Sequence, residues 1–447
     1  MPDQPPEQQP QISPQVVSAA PTKRFFISVL IRDIQFIDAL VELVDNSVDS
    51  VRSHSGISGL AGIVIELEYD ETHFQIHDNA FGIPVDVAKH YAFRFGRSLD
   101  APATRGAVGE FGVGMKRALF KIGRHFTVTS HTDSEYFTVE VDVDQWEAQP
   151  ETDPNGWTFA LREQGKNGST GARGTTIVVD RLTDYAIEEF KNVTFGSRLN
   201  ALIKEAHAAS LTKGLQITIN RAPVLAVAAT LKSSEEITPI VSEQTISIDG
   251  KDVHVRLIAG VGEGALLADA GWNIYCNGRQ IERAEKTEKT GWNSALDSGD
   301  TIPKPHWQFR RFRGYLFFDS DFQDVLPWNT TKTGLNVESF AYRRVRADMN
   351  SAMLQVISFL NALDAESDGR LEASVKTAAQ VPLEKLAPNP SFKYKAGTPI
   401  KKATTISYSK EPDLVDTVKK NLKARNNREV GELTFDYYVD AEGLNGG

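Results

Sequence analysis

The sequence predicts an α+β chain, and three observations predict it. Residues 36–52 place Ile37, Leu40, Val41, Val44, Val48 and Val51 on one stripe, the i, i+3, i+4, i+7 spacing of a helix with one buried face. Residues 61–76 alternate through Ile63, Ile65 and Leu67 and resume at Phe74–Ile76 after Asp70-Glu71, the pattern of a hairpin. From about Leu215 strand-like runs dominate until a strongly amphipathic helix at Phe340–Leu363.

Taken in order, residues 1–22 read as a disordered Pro/Gln tail. The 36–52 helix carries Glu42, Asn46 and Asp49 opposite its apolar stripe, with Asp45 beside them and no cation before Arg52. An acidic face of this kind is either solvated or a set of oxygen ligands for a hard cation such as Mg²⁺, with a carboxylate left over as base. After the hairpin comes His77-Asp78-Asn79-Ala80-Phe81-Gly82, a strand that ends by presenting a carboxylate at a turn.

Gly106, Gly109, Gly112 and Gly114 crowd nine residues, and Met115–Ile122 then reads as a helix ended by Gly123. Glycines before a helix N-terminus form an anion site, with bare N–H groups and the positive end of the dipole. No Gly-Lys-Ser/Thr follows, which excludes a Walker loop, and the absence of a short βαβ unit disfavours a Rossmann turn. Strand-like runs at 126–130, 136–146, 156–162 and 174–180 follow, the last opened by Gly174-Thr175, and a helix is expected over 184–212. Asp324–Leu335 is a loop with one isolated lysine, Lys332. Beyond Ala365 the composition turns Pro- and Lys-rich to about Ser409, as in a linker; a short helix at 413–423 and a strand at 432–439 close the chain.

The order of these features resembles the GHKL superfamily of gyrase, heat-shock chaperones, histidine kinases and MutL. The match rests on Glu42-Leu-Val-Asp45-Asn46-Ser-Val-Asp49, on Asp78 at a strand end, and on the Gly109–Lys116 run, which with Phe95-Gly-Arg-Ser98 is most similar to the MORC branch. The resemblance implies a Bergerat-type α/β sandwich over residues 23–212, a transducer-like α/β domain over 213–365, and a linker with a small C-terminal segment over 366–447. Asn277-Gly278-Arg279 and Lys332 carry the transducer likeness. One departure stands out: Ala80 occupies the first glycine of the family's Asp-x-Gly-x-Gly.

What the resemblance implies chemically is Mg²⁺-dependent, slow ATP hydrolysis. Glu42 is expected as the general base and Asn46 as the Mg²⁺ ligand. Asp78 is expected on the adenine amino group, supported by Thr175 directly or through water. Gly82, Gly109, Gly112, Val113, Gly114, Met115 and Lys116 are expected around the nucleotide, with Lys332 reaching the terminal phosphate. It further implies homodimerisation on ATP binding and action as a clamp, on DNA or alternatively on protein clients. Lys304–Arg313 interleaves cations with aromatics, as nucleic-acid surfaces do, or is a strand with snorkelling arginines. The net charge of −10 argues against a uniformly basic nucleic-acid binder and mildly favours protein clients. A single cysteine, Cys276, excludes internal disulfides and fits a reducing cytoplasm, and no apolar run suits a membrane span.

Overall fold

The structure, a computed structural model, describes residues 22–32, 34–55, 60–96, 114–153, 155–167, 172–264, 266–296, 299–329, 332–395 and 406–443. The chain divides into two compact units, Met1–Thr398 and Pro399–Gly447.

The first unit opens with α1 (Lys23–Arg32) and α2 (Phe36–Ser55). The predicted stripe of α2 is core: Leu40, Val41, Val44, Val48 and Val51 are wholly buried. The hairpin β1 (Val64–Tyr69) and β2 (Phe74–Asp78) follows, its turn closed by the Asp70 carboxylate, which accepts from the N–H groups of Thr72 and His73. A helical turn, α3 (Val85–Val87), precedes α4 (Gly114–Ile122), which passes at Gly123 directly into β3 (Gly123–His131). Next come β4 (Glu135–Asp142), α5 (Val143–Ala148), β5 (Ala160–Lys166) and β6 (Gly174–Leu182).

Three helices replace the single one expected over 184–212: α6 (Asp184–Lys191), α7 (Phe195–Ala206) and α8 (Ala208–Thr212). The first break has a local cause. The Asn192 side-chain oxygen accepts from the Thr194 N–H at 3.0 Å, an Asx turn that competes with the helix. The strands β7 (Gln216–Ile219) and β8 (Ala222–Pro223) then complete an eight-stranded sheet ordered β5-β4-β3-β6-β2-β1-β7-β8. Within this sheet, among the described residues, β1 and β7 pair in parallel and the other neighbours antiparallel. One sheet face is apolar, with Ile65, Phe74, Ile76, Phe126, Val128, Phe137 and Val179 packed with α2, α4 and α7 into one core. The other face carries Gln75, His77, Thr127, Thr138 and Thr176, so the alternation along each strand sorts the two faces.

The rest of this unit is built from β9 (Thr230–Ser233), β10 (Ile237–Thr238), β11 (Ile240–Ile248), β12 (Lys251–Val261), β13 (Gly271–Cys276), β14 (Arg279–Glu285), β15 (Ser294–Ala295), β16 (Thr301–Ile302) and β17 (Phe312–Asp319). Its main sheet is ordered β11-β12-β17-β13-β14. The predicted amphipathic helix, α9 (Phe340–Ala365), covers one face through Tyr342, Val345, Met349, Met353 and Val356. The opposite face, with Ile258, Tyr275 and Tyr315, is covered by Leu231, Leu383 and Leu386.

That cover corrects the reading of residues 366–409 as linker. α10 (Arg370–Thr377), β18 (Ala379–Pro382) and β19 (Lys393–Tyr394) fold there, β18 pairing with β9 and β19 with β10. The Pro-rich composition hid them because their pairing partners lie far back in the chain. The second unit contains α11 (Pro412–Leu422) and α12 (Asn427–Ala441). The strand expected at 432–439 is therefore helix. Leu433, Phe435 and Tyr437 alternate with a period of two, but Asn426 caps the segment by accepting from the Glu429 N–H at 2.9 Å. The fold class is α+β throughout.

Candidate nucleotide site

The acidic face of α2 is buried, not solvated: Glu42 is 7%, Asp45 1% and Asp49 8% exposed. Buried carboxylates require partners, and Glu42 and Asp45 find theirs on distant elements. Arg117, on α4, grips Glu42 as a fork. Its Nε donates to Oε2 at 3.1 Å, and Nη2 donates to Oε1 at 2.7 Å and to Oε2 at 2.8 Å. Gly114, the first residue of α4, abuts the same carboxylate. A Cβ there would stand 2.5 Å from Oε1.

Asp45 faces charges from two further elements. Its Oδ1 lies 3.2 Å from His207 Nε2, between α7 and α8, and 3.3 Å from Arg279 Nε, at the start of β14. Burial alone would raise the Asp45 carboxyl, but Arg279, His207 and Lys332 override it and hold it well below the usual carboxylate range. Burial lowers His207 below its ordinary 6.5, against the pull of Asp45. Lys332 is buried as well, in the left-handed backbone region at φ +56°. Its Nζ sits 3.9 Å from both Glu42 Oε1 and Asp45 Oδ2. Two turns beyond Asp45 along α2, Arg52 donates to the Asn277 carbonyl and, at 3.2 Å, to Ser210 Oγ. Asn277 and Gly278, both at positive φ, form the two-residue turn between β13 and β14. A Cβ on Gly278 would stand 2.7 Å from Arg52 Nη2, so glycine is what lets the turn reach α2.

The other end of the site is at β2. Asp78 Oδ2 accepts from Ser47 Oγ at 2.7 Å; Oδ1 accepts from the N–H groups of Ala80 (2.9 Å) and Thr175 (3.2 Å). A carboxylate has about four acceptor positions, so one remains for a ligand amino group. Burial raises the Asp78 carboxyl despite these three donors. Thr175 thus reaches Asp78 through its backbone, while its hydroxyl meets Ser130 Oγ at 3.0 Å. Gly82 has φ +70°, and a Cβ there would stand 2.1 Å from the His131 carbonyl oxygen. Ala80 is wholly buried and is not among the residues at positive φ, so alanine fits where the family has glycine.

Asn46, between Glu42 and the Asp78 partner Ser47, is half-buried, and among the described residues its amide nitrogen has no hydrogen-bond partner. Rotating the amide by half a turn exposes an untied oxygen instead, a donor suited to a hard cation. Among the described residues no group of three or more His, Cys, Asp or Glu could hold a metal ion. A cation held through Asn46 would draw much of its shell from ligand phosphates and water, as Mg²⁺ commonly does. The N-terminus of α4 at Gly114 and Met115 carries the positive end of the helix dipole. Lys116 is buried; its Nζ donates to the Ala92 carbonyl at 2.8 Å, and burial lowers it to about 7 against the pull of Glu42. Gly109, Gly112 and Val113 lie outside the described residues.

The fold thus gathers Glu42, Asn46, Gly114, Met115 and Lys332 at one place, with Asp78, Gly82 and Thr175 at the strand end beyond Ser47. Reading the residues alone missed Arg117, His207, Arg279 and Arg52 as partners of the acidic face. Arg52 and Asn277 are 225 residues apart, and no local pattern signals such a pairing. The basic-aromatic run 304–313 splits. Arg311 is locked to Glu372 in a fork and Arg313 donates to backbone carbonyls, whereas Trp307 is 53% exposed with the Arg310 guanidinium 4.9 Å from its ring.

Comparison with known proteins agrees with this geometry. Residues 34–168 match the family model of the histidine kinase-, DNA gyrase B-, and HSP90-like ATPases. No curated protein matches the chain. The matched segment runs from the start of α2 through Asp78 and α4 to the end of β5, and so takes in the acidic helix, the carboxylate turn and the glycine-led helix. Residues 34–168 are thus a domain of the GHKL superfamily of ATPases, the ATP-binding domain shared by gyrase B, heat-shock chaperones and histidine kinases.

Proposed function

We propose that this chain is an ATP-gated clamp that dimerises on binding ATP, hydrolyses it slowly and acts on DNA. In this reading Glu42 takes the proton of the attacking water, and Asp78 accepts from the adenine amino group with Thr175 at its side. Asn46 would hold Mg²⁺, which would supply positive charge against that of the phosphates. The N–H groups at Gly114 and Met115 face the phosphates, and Lys332 meets the terminal one. Phosphoryl transfer is mainly positioning and charge stabilisation, so this set suffices.

The observation that carries the clamp reading is Lys332. It comes from beyond β17, in the part of the chain built on the second sheet, yet its ammonium lies 3.9 Å from carboxylates of α2. A group so placed couples what occupies the α2 face to the second sheet. Arg279 and the Arg52–Asn277 contact supply two more links of the same kind. Light scattering with a non-hydrolysable ATP analogue tests the reading. A shift from monomer to dimer mass is expected, and a mass indifferent to nucleotide refutes it.

DNA as the substrate is favoured by Trp307 and Arg310 at the surface, a stacking ring beside a cation. Clamping of protein clients is the second reading, favoured by the net charge of −10. A DNA mobility shift at low salt decides between them, because phosphate-driven binding weakens steeply with salt. No retardation at low salt removes DNA.

A further inference from the structure

Given the reading of Glu42 as general base, the geometry points to Arg117 as the positioning residue of hydrolysis. The fork does not treat the two carboxylate oxygens alike. Oε2 accepts twice from Arg117, from Nε and from Nη2, and Oε1 accepts once. Each oxygen has two lone pairs. Among the described residues Oε2 is therefore filled, and Oε1 keeps one acceptor position.

Oε1 is also the oxygen turned toward the head of α4. A Cβ on Gly114 would come within 2.5 Å of Oε1 and 2.8 Å of the carboxyl carbon. Lys332 Nζ approaches the same oxygen, at 3.9 Å. So the one open acceptor position belongs to the oxygen at the anion-binding end of a helix, beside the lysine expected on the terminal phosphate. The proton of an attacking water would pass to Oε1 as its oxygen bonds to phosphorus and the bond to the ADP oxygen breaks. A planar guanidinium held at two points fixes the carboxylate plane; an ammonium at the same place fixes one point only. Arg117 does not touch the reacting atoms. It acts through Glu42 by choosing which oxygen works and where it stands.

The test compares Arg117→Lys, Arg117→Gln, Glu42→Gln and the double variant Glu42→Gln/Arg117→Gln in the full chain. The readouts are kcat and the Kd of a non-hydrolysable ATP analogue. Arg117→Gln should lower kcat by about 100-fold, the scale of an ångström-sized misplacement, while Kd stays within about threefold. Arg117→Lys should fall between it and wild type. The double variant should be no slower than Glu42→Gln, because positioning has no value once the base is gone.

An Arg117→Gln kcat equal to or above wild type overturns the inference, as does a loss shared between kcat and analogue affinity. A double variant slower than Glu42→Gln by the full Arg117→Gln factor overturns it too, since Arg117 would then act independently of Glu42. If Arg117→Gln leaves Glu42 buried without a partner and does not fold, Arg117→Lys against wild type carries the comparison. If Glu42→Gln hydrolyses ATP at the wild-type rate, the base assignment itself is wrong, a result separate from any behaviour of the Arg117 variants.

Discussion

The substitution Gly114→Ala isolates the contact between the head of α4 and the Glu42 carboxylate. An alanine Cβ would stand 2.5 Å from Glu42 Oε1, about 0.9 Å short of the 3.4 Å at which ordinary contact begins. Glu42 cannot swing freely to relieve this, because Arg117 holds both of its oxygens. The carboxylate must retreat by nearly an ångström, and a displacement of that size costs about 100-fold in rate where geometry matters. Stability should move far less. Forcing Glu42 off its rotamer costs about 0.5–1.5 kcal/mol, whereas replacing glycine by alanine within a helix returns up to about 1 kcal/mol. Gly114 itself has no positive φ, so its backbone accepts alanine. The expected result is a melting temperature changed by only about 2–4 °C with hydrolysis down about 100-fold. Steady-state ATPase and thermal unfolding on the same preparation measure both. Wild-type turnover in a folded Gly114→Ala protein would refute the placement of Glu42 against α4 as the site of chemistry.

Other perturbations probe the remaining contacts. Lys332→Ala should weaken a non-hydrolysable ATP analogue about tenfold while ADP binding is unchanged, since a charged hydrogen bond contributes about 1.5–3 kcal/mol; calorimetry with both nucleotides checks it, and equal losses would place Lys332 elsewhere. Ala80→Gly restores the family glycine at a buried position that needs no positive φ. It should leave nucleotide affinity unchanged and cost about 1 kcal/mol in chemical denaturation, from one lost methyl and a looser unfolded chain. Because burial lowers His207 below its ordinary 6.5, the unfolded chain binds the extra proton first, so stability should fall as pH drops through 6.5 toward the lowered value. Denaturation curves from pH 7.5 to 5.5 should show this slope in wild type and a flatter one in His207→Gln; identical slopes would exclude His207 as the cause.

Much of the site can be read from residue order alone. The stripe Leu40 to Val51 dictates a buried helix face, and spacing then forces Glu42, Asn46 and Asp49 to the other side. Gly123 directly after an apolar helix marks its end, and the Asp78 turn follows from a strand running into Asp-Asn. These are local facts, set by the periods of helix and strand. The segments that were misread share a different property. Residues 379–382 and 393–394 fold as strands only because β9 and β10 wait for them, and α12 alternates like a strand yet is held as a helix by its Asn426 cap.

Only the tertiary structure decided whether the acidic face of α2 is solvated or buried. Its partners Arg117, His207, Arg279 and Lys332 come from four separate elements, and nothing in the spacing of α2 announces them. A carboxylate's environment is the sum of what the fold brings within a few ångströms, and Coulomb attraction takes no account of separation along the chain. The helix and its ligand-type residues are therefore written in short stretches of sequence. The charges that hold Asp45 ionised, fix Glu42 and reach α2 from the second sheet exist only once the chain has closed around them.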